Sequence, residues 1–202
     1  MARKEGFVAL VAMLVAAGAA VAQSTGTPAF NAPYRAFGQH EFGGTVSFTD
    51  GGGMALEGAY GFGTGRFDVG LRGGFWDSDA TDTQILIGAG ARQRLIEHTE
   101  AFPLDGAVVV GLGARLASGA NTVIIPGGLS LGRRLDVEDS QVSIIPYVQP
   151  TVFLTAGENQ DTELNVAFGF GGDFRLSRLF DARVSVGLGD IEGVSISAVW
   201  VR

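Results

Sequence analysis

The chain contains two histidines, His40 and His98, and an acidic loop, Asp77-Ser78-Asp79, that together suggest acid–base or serine-based hydrolysis. The strand pattern described below places both histidines at one end of the molecule and the acidic loop at the other. A strand of about 9 residues at about 3.3 Å each separates them. A catalytic triad requires hydrogen-bond contact. We therefore predict ordinary polar histidines, a solvated loop and no enzymatic activity.

Other chemical sites are poorly represented. The absence of cysteine excludes disulfides, thiolate metal sites, a cysteine nucleophile and N-terminal lipid attachment. No Gly-x-Gly-x-x-Gly pattern occurs, and a Gly-Lys phosphate-binding loop is impossible because Lys4 is the only lysine. Asp77, Asp79 and Asp82 are weak calcium candidates, since their loop lacks the glycine and distant glutamate of an EF-hand. We expect no metal and no cofactor.

Residues 1–22 have the three parts of a signal peptide: a charged start at Arg3 and Lys4, an apolar stretch and an Ala20-Val21-Ala22 cleavage site. Removing them leaves about 180 residues, the length of one domain, with 12 arginines, 20 acidic residues and a net charge of −8. The acidic excess argues against nucleic acid as a partner. With 46% hydrophobic and 17% charged residues, the chain is too apolar for intrinsic disorder.

From residue 41 onward, apolar and small residues alternate with a period of two, which predicts β-strands. In residues 41–49, for example, Phe42, Val46 and Phe48 share one face. Asp50-Gly51-Gly52-Gly53 then supplies a turn that tolerates positive φ. The pattern predicts an up-and-down antiparallel barrel, all-β, with ten strands; eight remain possible. We expect residues 23–40 to form a flexible periplasmic lead and residues 41–202 to form the barrel.

The second face of each strand is mostly glycine and serine with few charges, which suits a crowded interior better than a solvated surface. Apolar side chains outside and polar side chains inside are typical of a membrane barrel, whose strands need about 9 to 11 residues. The predicted lumen charges, which should pair inside, are Glu57, Asp68, Arg72, Arg92, Asp105, Arg115, Glu163, Asp173, Arg175 and Arg183. The outward aromatics near one end, which predict an interfacial girdle, are Phe42, Tyr60, Phe62, Phe67, Phe174 and Trp200.

With its signal peptide, alternating strands, Arg-Leu turns such as Arg94-Leu95 and the strand 194–202, the chain resembles the small outer-membrane β-barrel proteins of diderm bacteria. The family's usual final aromatic residue is absent, since the chain ends Trp200-Val201-Arg202. The resemblance implies an outer-membrane location and, as partners, membrane lipids, lipopolysaccharide and the barrel-assembly machinery. We expect a monomer.

The function that this pattern favours is a structural membrane protein or a narrow conduit. A soluble periplasmic barrel that binds an apolar ligand is the alternative. An outer-membrane lipid-modifying enzyme is a further alternative, which requires an inverted topology. The loops assigned to the outer end carry acids without basic residues. They form either a simple soluble acidic rim or a surface that repels lipopolysaccharide phosphates unless divalent cations bridge the two.

Three prolines fall within the predicted strands: Pro126, Pro146 and Pro150. Proline cannot donate to a strand ladder. Pro146 and Pro150 point to the same neighbouring strand, and a pairing sum of residue numbers near 275 or 277 would bring Pro126 beside Pro150. The sequence therefore predicts either a local bulge or a lateral seam in the wall through which an apolar molecule passes.

Overall fold

The computed structural model describes residues 24–34, 40–63, 66–78, 81–118, 121–158 and 160–202. The predicted signal peptide lies outside the described residues. The described part of the chain has no helix that is both long and apolar enough to span a membrane.

Antiparallel strands account for most of the described chain. The strands are β1 (Glu41–Thr49), β2 (Gly53–Gly63), β3 (Phe67–Ser78), β4 (Thr81–Ile96), β5 (Asp105–Leu116), β6 (Thr122–Gly132), β7 (Leu135–Asp136), β8 (Ser143–Gly157), β9 (Gln160–Arg175), β10 (Phe180–Gly189) and β11 (Gly193–Val201). A short 3₁₀ turn, Asp50–Gly52, joins β1 to β2, and Gly51 and Gly52 have φ of 76° and 82°. Both glycines take the left-handed conformation that the sequence predicts there.

The sheet closes on itself. Consecutive strands pair along the chain, β6 pairs with β8, and β11 returns to β1 with Glu41 opposite Val201 and Thr49 opposite Gly193. β7 is a two-residue continuation of β6 along β8. The wall therefore has ten strands in up-and-down order, as predicted, and the eight-stranded alternative is wrong.

The two faces of the wall differ as the alternation predicts. Large apolar side chains are exposed on the outer surface, including Phe48, Leu56 and Leu71 at 52%, 58% and 63%. Small and polar side chains, such as Ser47 and Ser195, are buried inside. Closure leaves no exposed strand edges, so the backbone polar groups of the wall are paired within the barrel except where the β5–β6 and β6–β8 ladders are interrupted.

Aromatic side chains collect on the outer surface at the end where β1 begins, called here the inner end. Phe42 stacks on Trp200 with ring centroids 5.8 Å apart, and Phe180 meets Trp200 edge-on at 5.3 Å. The register explains this cluster, because Trp200 lies opposite both Phe42 and Phe180. Tyr60 lies opposite Phe42 on the other side, which extends the cluster around the rim.

Residues 24–33 lie inside the lumen and are buried. Gly113 near the outer end of β5 approaches Ser24, while Gly132 at the inner end of β6 approaches Pro33. This stretch, called the lumen segment (residues 24–34), thus runs from the outer half of the barrel to the inner end. The expectation of a flexible periplasmic lead is wrong for these residues, because polar wall side chains bind their main chain.

Candidate functional site

The lumen segment is held chiefly by its main-chain atoms. Arg115 Nε and Nη2 donate to the carbonyls of Thr25 (3.0 Å) and Gly26 (2.6 Å). Ser185 Oγ donates to the Pro28 carbonyl (2.6 Å) and accepts from the Phe30 amide (3.2 Å).

The contacts continue towards the inner end. Tyr147 Oη donates to the Phe30 carbonyl (2.8 Å). The Asn31 amide donates to Gln149 Oε1 (3.1 Å), and Ser130 Oγ donates to the Asn31 carbonyl (2.6 Å). Arg92 Nη1 donates to the carbonyl of Ala32. Side chains from β4, β5, β6, β8 and β10 therefore converge on the main chain of the lumen segment.

Phe30 supplies the main apolar contact of the segment. It packs with Ile145, Tyr147 and Ile191 in the buried cluster of the lumen. A Cβ atom on Gly169 would lie 2.1 Å from the Phe30 ring. Glycine is therefore required at this position in β9 to leave space for the ring.

The lumen charges form ion pairs in separate groups. Arg183 contacts Glu41 (2.8 Å), Asp173 (3.4 Å) and Asp181 (3.6 Å) near the inner end. Arg92 pairs with Asp68 at 2.7 Å, and Arg72 lies 3.9 Å from Glu57. Pairing makes these buried charges tolerable, since an unpaired ion inside the wall is strongly destabilising.

Four of the predicted lumen charges lie elsewhere than in these groups. Arg115 binds the lumen segment and lies 4.6 Å from the Trp76 ring. Asp105 accepts from His98 Nδ1 (3.1 Å) and from its amide (3.2 Å). Glu163 is exposed near the outer end of β9, and Arg175 is half-buried at the inner turn after β9. The expectation that Glu163 pairs inside the lumen is wrong, because its side chain is exposed at the outer end of β9.

Sequence reasoning missed Glu41 and Asp181, although the alternation contained the information. Glu41 shares its face with Thr45 and Ser47, and Asp181 shares its face with Arg183 and Ser185. Both stand at strand ends. The predicted strands 41–49 and 181–189 already include both residues on the inward face, so the list of lumen charges should have contained them.

Little space remains beside the Arg72 and Arg183 ion pairs in the described part of the lumen. Two neighbouring cavities of about 30 Å³ each are lined in part by Asn31, Glu41, Arg72 and Arg183. Each has room for one or two water molecules. The segment and the ion pairs therefore fill the section of lumen around these residues.

The proline positions break the ladders in two places. Thr122 lies opposite Gly157 and Gly132 opposite Tyr147, so paired residue numbers of β6 and β8 add to 279. Pairing between these strands is interrupted from Leu129 and Ser130 to Gln149 and Pro150. Arg133 N donates to Pro146 O (3.4 Å), so even-numbered β8 residues face β6, and Pro150 lacks the donor that would meet Leu129.

Pro126 affects a different interface. It lies opposite Phe153 of β8, and the gap beside it lies in the ladder between β5 and β6, where Gly111 and Leu112 are unpaired with β6. The expected pairing sums of 275 or 277 and the coincidence of three gaps are therefore wrong. Any odd pairing sum keeps the apolar faces of both strands outward, so the alternation alone does not select one register. The observed sum of 279 is two residues beyond the larger expected value, and the turn between the two strands contains β7.

The candidate catalytic and metal groups stay apart. His40 contacts Tyr60 and His98 pairs with Asp105. Both histidines lie at the inner end of the barrel, which is the end that the strand pattern predicts. Asp77 accepts from Thr83 Oγ1 (3.1 Å) in the outer loop, Asp82 is exposed there, and Asp79 lies outside the described residues. Among the described residues, no cluster of three or more histidines and carboxylates suits a metal ion.

Comparison with known proteins reveals similarity of fold. No protein-family model matches the chain, and no curated protein matches it. Among solved structures, the β-domain of the Bordetella autotransporter BrkA is similar, with a TM-score of 0.51 and 12% sequence identity over 81% of this chain and 98% of that one. The chain therefore shares a closed antiparallel barrel fold with this β-domain.

Proposed function

We propose that this chain is a non-enzymatic β-barrel of the bacterial outer membrane whose lumen is closed by its own N-terminal segment. The observation that carries the proposal is the outer surface of the wall, where large apolar side chains are exposed on every strand from β1 to β11. A soluble barrel would place solvated charges there, whereas lipid requires apolar side chains.

Membrane fractionation tests the location. We expect the protein to remain with outer membranes after salt and carbonate washing and to require detergent for release. Release by carbonate alone would favour a soluble barrel and contradict the proposal.

A filled lumen implies poor conduction. The arginine–carboxylate pairs and the lumen segment occupy the space that a pore would need. In planar bilayers we expect little or no stable current from the full mature chain. Stable conductance on the nanosiemens scale would argue for an open pore instead.

The break between β6 and β8 is the place where a lateral seam for apolar molecules is best supported. Here the side chains of Ser130 and Gln149 both bind the main chain of Asn31, so the lumen segment bridges the interrupted ladder from inside. A bulge that only curves the wall is the simpler use of the same break. Rapid hydrogen exchange at residues 144–152, relative to residues 106–114, would favour the seam.

The acidic outer loops support lipopolysaccharide as a partner when divalent cations are present. Asp50, Asp77, Glu158 and Glu192 are exposed at the outer end. Carboxylates and lipid phosphates repel one another unless a cation bridges them. Chelation should weaken lipopolysaccharide association of the purified protein, and an unchanged association would exclude cation bridging.

A further inference from the structure

The pattern of contacts around the lumen segment suggests recognition of a peptide main chain. Six wall side chains bind eight main-chain groups of residues 25–32. These groups are present in any polypeptide. Among the segment's own side chains, Thr27 Oγ1 donates to Glu57 (2.8 Å) and Phe30 fills the apolar cluster.

The wall is also shaped for a narrow chain. Two glycines of the wall leave room for the segment. A Cβ at Gly113 would lie 1.9 Å from the Ser24 carbonyl oxygen, and a Cβ at Gly187 would lie 3.0 Å from the Phe30 ring. Small residues therefore line the path on both sides. Pro28 and Pro33 stiffen the segment and reduce the entropy lost when it is held extended.

We propose that the lumen is a binding site for a polypeptide segment with small residues around one aromatic side chain, and that residues 24–34 occupy this site in the chain itself. Wall side chains bind main-chain carbonyls and amides at most positions, and the apolar cluster packs against the Phe30 side chain. A second peptide of the same chemistry competes with the segment for the lumen.

The absence of native cysteine permits a direct test on the full mature chain. Ala29→Cys places a thiol on the buried segment. A maleimide-linked polyethylene glycol that is too large to enter the barrel labels this thiol only when the segment leaves the lumen. The labelling rate in detergent micelles therefore measures departure of the segment.

Two wall serines supply a matched pair of variants. Ser185 binds Pro28 and Phe30, whereas Ser195, directly opposite it on β11, binds Ser47 of the wall. In the Ala29→Cys background, Ser185→Ala should raise the labelling rate about tenfold, because two hydrogen bonds to the segment are lost. Ser195→Ala should leave the rate within about twofold.

Competition tests the binding site itself. A synthetic peptide of residues 24–34 should raise the labelling rate as its concentration increases, because it occupies the lumen while the segment is out. The peptide with Phe30→Ala should require at least about 30-fold higher concentration. The peptide with Ser24→Ala should act like the parent, because the Ser24 hydroxyl has no hydrogen-bond partner among the described residues.

Equal labelling rates in the two serine variants, or no effect of the parent peptide, would overturn the proposal. Hydrogen exchange of residues 106–114 reports whether each variant retains the barrel. Immediate labelling of Ala29→Cys in a barrel that stays protected would refute the peptide site and leave the membrane assignment intact. Release of the protein by carbonate would refute the membrane assignment and leave the peptide site intact.

Discussion

Arg183 illustrates how a single side chain determines whether a polar lumen is stable. Its guanidinium lies within 3.6 Å of three carboxylates, those of Glu41, Asp173 and Asp181, and all four side chains are at most 13% exposed. Arginine suits this position because its planar group presents several donors at once and stays charged when buried. Without it, three buried carboxylates would repel one another.

Replacing Arg183 by methionine should therefore lower the free energy of unfolding by about 3–5 kcal/mol, the cost of leaving buried charges without their partner. Urea titration of the detergent-folded barrel measures this loss. Lowering the pH towards about 4 should recover part of the stability, because protonated carboxyls no longer repel. The control is Arg66→Met: Arg66 is 72% exposed in its pair with Glu97, so its loss should cost at most about 1 kcal/mol. Equal costs for the two variants would contradict the assigned role of Arg183.

A charge pair outside the enclosed wall behaves differently. At the inner turn, hydrogen bonds from Ser143 and Arg134 to the exposed Asp136 hold the pKa of this carboxyl below its usual value. The group is solvated, so the shift reflects local hydrogen bonding. The Arg183 cluster and the inner turn both contain charge pairs, but only the Arg183 cluster is buried. We therefore expect loss of a partner to cost more in the Arg183 cluster than at the inner turn.

Among the structural elements, the strands were predictable and the lumen segment was not. Alternation identifies a strand because successive side chains point to opposite faces, one apolar and one polar. The predicted strand 41–49 matches β1. Residues 24–34 contain small residues and prolines without a period, which is also the composition of a linker. Their order depends on wall residues such as Arg115 and Ser185, which are distant in sequence and meet only after the barrel closes.

The break between β6 and β8 leads to a prediction about Pro150. Replacing it by valine supplies the missing amide opposite Leu129, and the branched side chain suits the half-exposed outer position. One regained hydrogen bond should raise the free energy of unfolding by about 1 kcal/mol. Hydrogen exchange at residues 129–131 should slow at the same time. Pro126→Val is the control, since it acts on the ladder with β5 and should leave exchange at residues 148–152 unchanged. Faster exchange in Pro150→Val would show that proline is required for the local geometry.

At the scale of the whole molecule, the barrel has apolar side chains outside and polar groups inside, the reverse of a soluble globular domain. In the membrane location proposed above, this inversion follows from the surrounding lipid. Lipid offers no hydrogen bonds, so closure must satisfy every backbone group of the wall, and the polar side chains must find their partners in the lumen. The lumen segment then contributes to the fold by supplying carbonyls to Arg92 and Arg115.

Two outward leucines with nearly equal exposure provide the sharpest test of this inversion. Leu71 is 63% exposed at mid-height of β3, and Leu95 is 61% exposed at the inner end of β4. In lipid vesicles, Leu71→Arg should lower the free energy of unfolding by about 2–4 kcal/mol, whereas Leu95→Arg near the interface should cost at most about 1 kcal/mol. In water, an exposed leucine at either height tolerates arginine almost equally, because the charge remains solvated. Urea titrations of both variants in vesicles measure the difference, and equal small costs would mean that the apolar band does not face lipid.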